Sequence, residues 1–531
     1  MKKRNSVFTL LITLLLAILI AAPVYAFSPP AITERVESGP YIPLRSSVYA
    51  VVDAEVLWQA ESRNIVIIID EQHIMSVQID EIGFIENGIS WVPVTFFEEV
   101  LYPALVAEPT PVSAVTENEE NAPLWSIDRF SDIRDASFST DLPHGEIAVG
   151  FIEYMSDNFA GRSAFTYTEK ATAIWIIEEL LAMGHNWDAI EVQEFDYWYL
   201  LDNDIGLFPA SWFTISSAGI LGTNRDYELR QDRTSQNVVL TIPGQSERFI
   251  IVGAHYDSVP YPGASDNASG VGLLLESAQR MMELDHYYTI VYVFFGAEEV
   301  GLFGAFYYYE SLTDAEHENV VMMINADVLI EGPYPIFGAG MVPVIDDDTA
   351  EAIVSMTIEF MLENIDEILE QIPEESLEET LEEIAQLPEL VASQLETMQP
   401  IMLALQGHMM GLFETVETDV SRRVDAIANE VTREHNVELI RLPEAVIFTS
   451  DNLAFAMTHT VVNLCGLERV ENIDNERIPM GVRVSEEFAA TILHSPLDEF
   501  NAIEYLWPGM MRTNMQTFSL LLEAILTASF S

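Results

Sequence analysis

Six side chains able to hold a divalent cation follow one another through the middle of this 531-residue chain: His255, Asp257, Asp266, Glu298, Glu299 and Asp327. One imidazole and several carboxylates make a hard-to-borderline donor set that suits a divalent metal, zinc above all. A carboxylate can bridge two ions about 3.5–4 Å apart, the arrangement that activates one water between two metals. Of the adjacent Glu298 and Glu299, one can ligate while its neighbour stays free as a general base. Taken singly, a histidine after a strand is commonly structural, and an Asp-Asn-Ala-Ser-Gly loop is commonly a turn. Their recurrence in order, each after an apolar run, points to a metal centre.

The elements that must position them are legible. Residues 249–252, 289–295 and 320–324 are apolar, β-branched runs that read as strands buried on both faces. A helical pattern separates the first two, the βαβ signature of a parallel sheet. The candidate ligands stand at the C-terminal end of each run, where open α/β sheets collect their ligands. Between them, Gly263-Ala-Ser-Asp266-Asn-Ala-Ser-Gly270 is a small-residue loop that can bring Asp266 to a metal and open a helix.

The segments AHYDS, GASDNASGV, FFGAEEVGLFGA and INAD resemble the motifs of the co-catalytic zinc aminopeptidases, metallopeptidase family 28 of clan MH. That family includes secreted leucine aminopeptidases, glutamate carboxypeptidase II and glutaminyl cyclases. Ile492-Leu-His494-Ser-Pro-Leu-Asp498 resembles its His-Thr-Pro-x-Asp segment. Ser450-Asp451-Asn452-Leu-Ala-Phe455 resembles its Ser-Asp-His-x-x-Phe segment, with Asn452 where histidine is usual. The resemblance runs, with one interruption, from about residue 145 to the C-terminus. It implies a three-layer α/β fold with a mixed, mainly parallel sheet flanked by helices. It also implies two zinc ions, one held by His255, Asp266 and Glu299, the other by Asp266, Asp327 and His494, with Asp266 as the bridge. In this reading Glu298 is the general base and Asp257 hydrogen-bonds the second nitrogen of His255.

The rest of the chain frames this domain. Residues 1–26 combine Lys2, Lys3 and Arg4 with an apolar run and a Val24-Tyr25-Ala26 cleavage site, the pattern of a secretory signal peptide, with a retained anchor as the alternative. The single cysteine, Cys465, can form no internal disulfide, which fits a bacterial exported protein. Lys and Arg number 23 against 85 Asp and Glu, a net charge of −62, and Lys170 is the only lysine beyond the signal segment. Such a charge excludes nucleic-acid binding through phosphate contacts and disfavours anionic lipid.

Residues 27–106 carry short strand patterns at 48–52, 65–69, 74–79 and 82–85, with a hairpin signal at Asn87-Gly88. This unit resembles the copper amine oxidase N-terminal-like stalk domain of exported proteins, which implies a spacer or cell-surface attachment. Residues 107–143 read as a linker, and 144–531 as the zinc peptidase domain. A helical, acidic insertion interrupts that domain at about 341–418, either packing on itself or the sheet or capping the site. The function expected is an exported aminopeptidase acting on peptides. A carboxypeptidase or glutaminyl cyclase on the same scaffold, and a non-catalytic surface protein, stand as alternatives.

Overall fold

The computed structural model describes residues 136–196, 234–259, 261–344, 349, 415–447, 450–472, 485 and 487–530, together with six short strands between residues 41 and 93. The signal segment, most of the linker, and residues 350–414 of the insertion lie outside the described residues. Those six strands form two antiparallel sheets. One has the order β1 (Tyr41–Pro43), β6 (Ile89–Pro93), β5 (Phe84–Glu86); the other runs β2 (Glu55–Gln59), β3 (Asn64–Ile69), β4 (Gln72–Gln78). Glu86 pairs with Ile89 across Asn87-Gly88, the hairpin that the dipeptide predicts. The pattern at 48–52 lies outside the described residues.

The larger unit is built on a nine-stranded sheet whose path is β13-β12-β14-β11-β9-β10-β8-β7, with β15 attached to β14. The strands are β7 (Ile190–Asp196), β8 (Thr234–Ile242), β9 (Ser246–His255), β10 (Tyr288–Phe295), β11 (Val320–Ala326), β12 (Tyr334–Gly340), β13 (Ile440–Arg441), β14 (Val461–Arg469) and β15 (Phe488–Ala489). The centre, β14-β11-β9-β10, is parallel, while β8, β7 and β12 join antiparallel. The sheet is thus mixed, with its parallel pairing concentrated where the candidate ligands are.

Alternation along the strands explains why both faces are covered. In β9, Ile250 and Val252 enter one apolar cluster and Phe249 and Ile251 the other. On the first face pack α1 (Glu146–Asn158), α2 (Tyr167–Met183), α3 (Ser269–Met281), α6 (Asp419–His435) and α8 (Met510–Leu526), through residues such as Phe151, Ile176, Leu274, Ile427 and Phe518. On the second lies α4 (Phe303–Ser311), with Ala305 and Phe306 against Val293 and Met323. The short helices α5 (Asp314–Asn319) and α7 (Phe500–Leu506) complete the set.

Helix boundaries follow the local chemistry. Thr166 caps α2 by accepting the Glu169 N–H, and Gly184 ends it in the left-handed conformation, φ 103°. α3 begins directly behind the Asp266 loop and returns the chain from β9 to β10.

The described ends of the segment expected as an insertion stand away from the ligand-bearing strand ends. Met341 and Val416 form an antiparallel bridge, and the adjoining Gly340 pairs with Val461, the first residue of β14. Val461 lies opposite Met323, which places these ends about 10 Å short of the end of β11.

Candidate metal centre and active site

Three adjacent parallel strands finish at one level, and that fixes the site. Phe295 pairs with His255, and Asn325 with Gly253, so the ends of β10, β9 and β11 stand side by side. His255 is the last residue of β9, Asp327 follows β11 at once, and Glu298 and Glu299 occupy the turn after β10. The Asp266 loop and the His494 turn then close over these ends.

Two imidazoles approach opposite oxygens of one carboxylate. His255 Nε2 lies 3.2 Å from Asp266 Oδ1, and His494 Nε2 lies 3.2 Å from Asp266 Oδ2. His255 Nε2 is also 3.2 Å from Asp327 Oδ1, while His494 Nε2 is 3.1 Å from Glu299 Oε2. The chain therefore groups His255 and Asp327 on one side of Asp266, and His494 and Glu299 on the other. These contacts divide the candidate ligands differently from the resemblance, which paired Glu299 with His255 and Asp327 with His494. β9 lies between β11 and β10; Asp327 follows β11 at once and meets His255, whereas Glu299 stands four residues past Phe295, the end of β10, and reaches His494. Ligand atoms of His255, Asp266 and Glu299, and separately of His255, Glu298 and Asp327, fall within 4.8 Å of one another.

Asp257 is placed beneath the two glutamates. Its Oδ1 accepts the Glu298 N–H at 3.0 Å and its Oδ2 the Glu299 N–H at 3.2 Å. His255 Nδ1 lies 3.2 Å from the Asp257 main-chain oxygen and 3.6 Å from Oδ1. The carboxylate thus acts chiefly on the glutamate turn, and its main-chain oxygen faces the imidazole. Glu299 Oε1 is in turn fixed by the Val259 N–H at 3.0 Å.

Backbone strain marks the same turns. Ala297, Val328 and His494 are non-glycine residues at φ 56°, 48° and 54°, each at or beside a candidate ligand. L-residues rarely adopt this region, and such strain is held by surrounding structure and gathers at functional sites. Behind Ala297, buried Glu169 takes the Ser235 hydroxyl at 2.5 Å and the Phe165 N–H at 2.5 Å.

The Asp266 loop is held from several sides. Asp498 Oδ1 accepts the Ser265 N–H at 2.5 Å and Oδ2 the Asp266 N–H at 3.0 Å. Arg162, fully buried, donates to the main-chain oxygens of Tyr256, Pro262 and Gly263 at 2.6, 2.6 and 2.7 Å. Asn267 Nδ2 reaches Ala326 O at 2.9 Å, which ties the loop to the end of β11. Gly263 sits at φ +59°, and a Cβ there would lie 2.4 Å from Asp266 O and 2.8 Å from Arg162 Nη2. The sequence pattern contained Arg162 and Asp498 but gave neither a role.

Asn452, the departure from the family pattern, is structural here. It is buried, donates to Val446 O at 2.8 Å, and faces Asn325, which also donates to Ser450 and Asn463 at 2.9 Å each. Its neighbour Asp451 is fully buried, and neither carboxylate oxygen has a hydrogen-bond partner among the described residues.

The electrostatics describe a site short of positive charge. Burial pushes the carboxyls of Glu298, Glu299 and Asp451 above their ordinary range, and neighbouring carboxylates add to it. Burial opposes charge on His255, yet Glu298 and Asp327 outweigh it and hold the imidazole well above its usual range. Burial also disfavours the Asp266 anion, but the two imidazoles reverse this and hold its carboxyl well below the ordinary range. Protons on imidazole thus stand where cations would neutralise the carboxylates. The donor types, the opposed faces of Asp266 and this charge deficit fit divalent ions such as zinc.

Of the remaining histidines, His144 pairs with Glu523 at 3.0 Å, and His317 and His459 stack on each other, all outside this cluster.

Residues 237–368 match Peptidase family M28. Aminopeptidase YwaD of Bacillus subtilis is 36% identical over 102 residues, 18% of this chain and 22% of that protein. The probable lipoprotein aminopeptidase LpqL of Mycobacterium tuberculosis is 39% identical over 102 residues, 19% of this chain and 20% of that protein. The chain thus spans about a fifth of the length of these curated relatives. Among solved structures, BSAP, a zinc aminopeptidase from Bacillus subtilis, aligns at 14% identity with a TM-score of 0.41, over 72% of this chain and 95% of that one. The matched segment carries the candidate ligands from His255 to Asp327, and it is this part of the chain that resembles peptidase family M28.

Proposed function

We propose that this chain is an exported, zinc-dependent exopeptidase of the aminopeptidase type, removing N-terminal residues from peptides. Two ions would be held, one by His255, Asp266 and Asp327, the other by His494, Asp266 and Glu299. The observation that carries this reading is the placement of Asp266, whose two oxygens each lie 3.2 Å from a different imidazole. A carboxylate so shared is the bridge that a two-metal hydrolase requires.

When bound, the ions supply Lewis-acid polarisation of the scissile carbonyl and acidify the attacking water. Glu298 takes the proton from that water and passes it to the leaving amine. Asp257 steadies Glu298 through its main-chain N–H, so the base does not drift from the site. Peptide is the substrate class, and export rests on the pattern of residues 1–26. The strands between residues 41 and 93 would belong to a non-catalytic spacer that supports surface attachment.

The test is hydrolysis by the purified chain of amino-acyl anilides, their N-blocked counterparts, C-terminal dipeptides and peptides beginning with glutamine. Cleavage confined to free-amine substrates supports the aminopeptidase reading. Cyclisation of N-terminal glutamine, or release of C-terminal residues instead, would replace it.

A further inference from the structure

The loop that presents Asp266 is gripped by two buried side chains, a guanidinium and a carboxyl, each bound to main-chain groups it complements. Arg162 donates all three of its hydrogen bonds to carbonyl oxygens, those of Tyr256, Pro262 and Gly263. Asp498 accepts from the next amides along the chain. Its carboxylate takes Ser265 and Asp266, and its main-chain oxygen takes Ala264 at 3.3 Å. The guanidinium meets carbonyls up to residue 263, and the Asp498 carboxyl meets the amides of residues 265 and 266. Arg162 is fully buried and Asp498 is 1% exposed. The three bonds from the Arg162 guanidinium are charge-assisted and shielded from water, while the two amides favour the Asp498 anion against burial and the neighbouring Glu331 and Asp266, which push its carboxyl above the ordinary range.

We propose that Arg162 and Asp498 form a clamp that positions the Asp266 carboxylate between the two metal sites, and so sets the affinity of the chain for both ions. The proposal rests on the two-metal reading above. Neither side chain would touch substrate or metal; both are positioning residues. Asp498 couples the clamp to the His494 turn, since it lies four residues beyond that ligand. One side chain thereby locates the shared carboxylate in register with the imidazole that faces its Oδ2. A peripheral structural role would alter stability alone, whereas a clamp alters the spacing of the donors.

The test is zinc titration of the metal-depleted full chain against a competing chelator dye, with near-ultraviolet circular dichroism to establish the fold. Variants Asp498→Asn and Arg162→Lys are compared with the double variant. Asparagine turns a donor towards one of the two amides, and lysine keeps the charge but cannot span three carbonyls. The expected result is weakening of both binding steps by about 10- to 100-fold in each single variant. The double variant should be little worse than either single one, because both hold the same loop. Wild-type affinity in the folded single variants would overturn the clamp while leaving the two-metal reading intact. Where Asp498→Asn does not fold, Arg162→Lys decides the matter alone. A wild-type chain that takes up fewer than two ions overturns the two-metal reading, and the clamp falls with it.

Discussion

His494 Nε2 lies 3.1 Å from Glu299 Oε2, while Oε1 of the same glutamate accepts the Val259 N–H at 3.0 Å. One oxygen is anchored and the other is presented, so in the proposed two-metal site Glu299 and His494 would share one ion. Glu299→Ala and His494→Ala should therefore impair one binding step, and His255→Ala and Asp327→Ala the other. Combining two variants from one side should add little, whereas combining across sides should abolish binding. Zinc titration of the single and double variants checks this. Additivity within Glu299 and His494 would contradict the grouping.

Glu298 is fixed by its main chain while its carboxylate stays free of an assigned ligand role. Glu298→Gln should keep both ions and lower kcat by about 10²- to 10⁴-fold, the range for loss of a general base. The readout is bound zinc beside kcat on an amino-acyl anilide. Full turnover in the variant would remove Glu298 from that role.

His255 gives the metal-free protein a defined pH response. Its folded proton affinity lies well above the ordinary value of 6.5 because the carboxylates around it outweigh burial. The stabilising contribution is complete below pH 6.5 and is lost as pH rises through the raised folded value. Metal-free protein should thus melt at lower temperature as pH is raised above 6.5. Added zinc should reverse the loss, and its uptake should release protons. Melting curves across that range, with and without zinc, test the sign; stability rising with pH in the metal-free state would contradict it.

Glu331 responds in the same direction for a different reason. Burial pushes its carboxyl to about 7, against the N–H groups of Ile492 and Thr491 that favour the anion. The folded chain holds a proton that the unfolded chain has released, so stability falls as pH rises from 4.5 through about 7. Glu331→Gln keeps an oxygen for those two amides at 2.8 and 2.9 Å and removes the titration. Urea unfolding at pH 5 and 8 should show a flatter dependence in the variant; an unchanged slope would assign it to other groups.

Much of this arrangement was legible because it is periodic or local. The runs at 249–252, 289–295 and 320–324 became β9, β10 and β11, since continuous β-branched residues suit strands covered on both faces. What escaped was long-range. Arg162 and Asp498 grip one loop from positions far apart in the chain, and Glu169 reaches Ser235 from a helix face that looks ordinary in sequence. The grouping of Glu299 with His494 depends on strand order, which motifs do not contain. Asn452, a departure from the family pattern, gained its meaning only from the buried amide network with Asn325.

The central claim is a two-metal aminopeptidase site bridged by Asp266, and zinc content measured on the same preparation as the substrate panel tests it most directly. The account predicts close to two zinc per chain and cleavage of amino-acyl anilides only when the amine is free. No bound metal and no turnover, even after zinc is supplied, would contradict it and leave a surface protein with a peptidase fold.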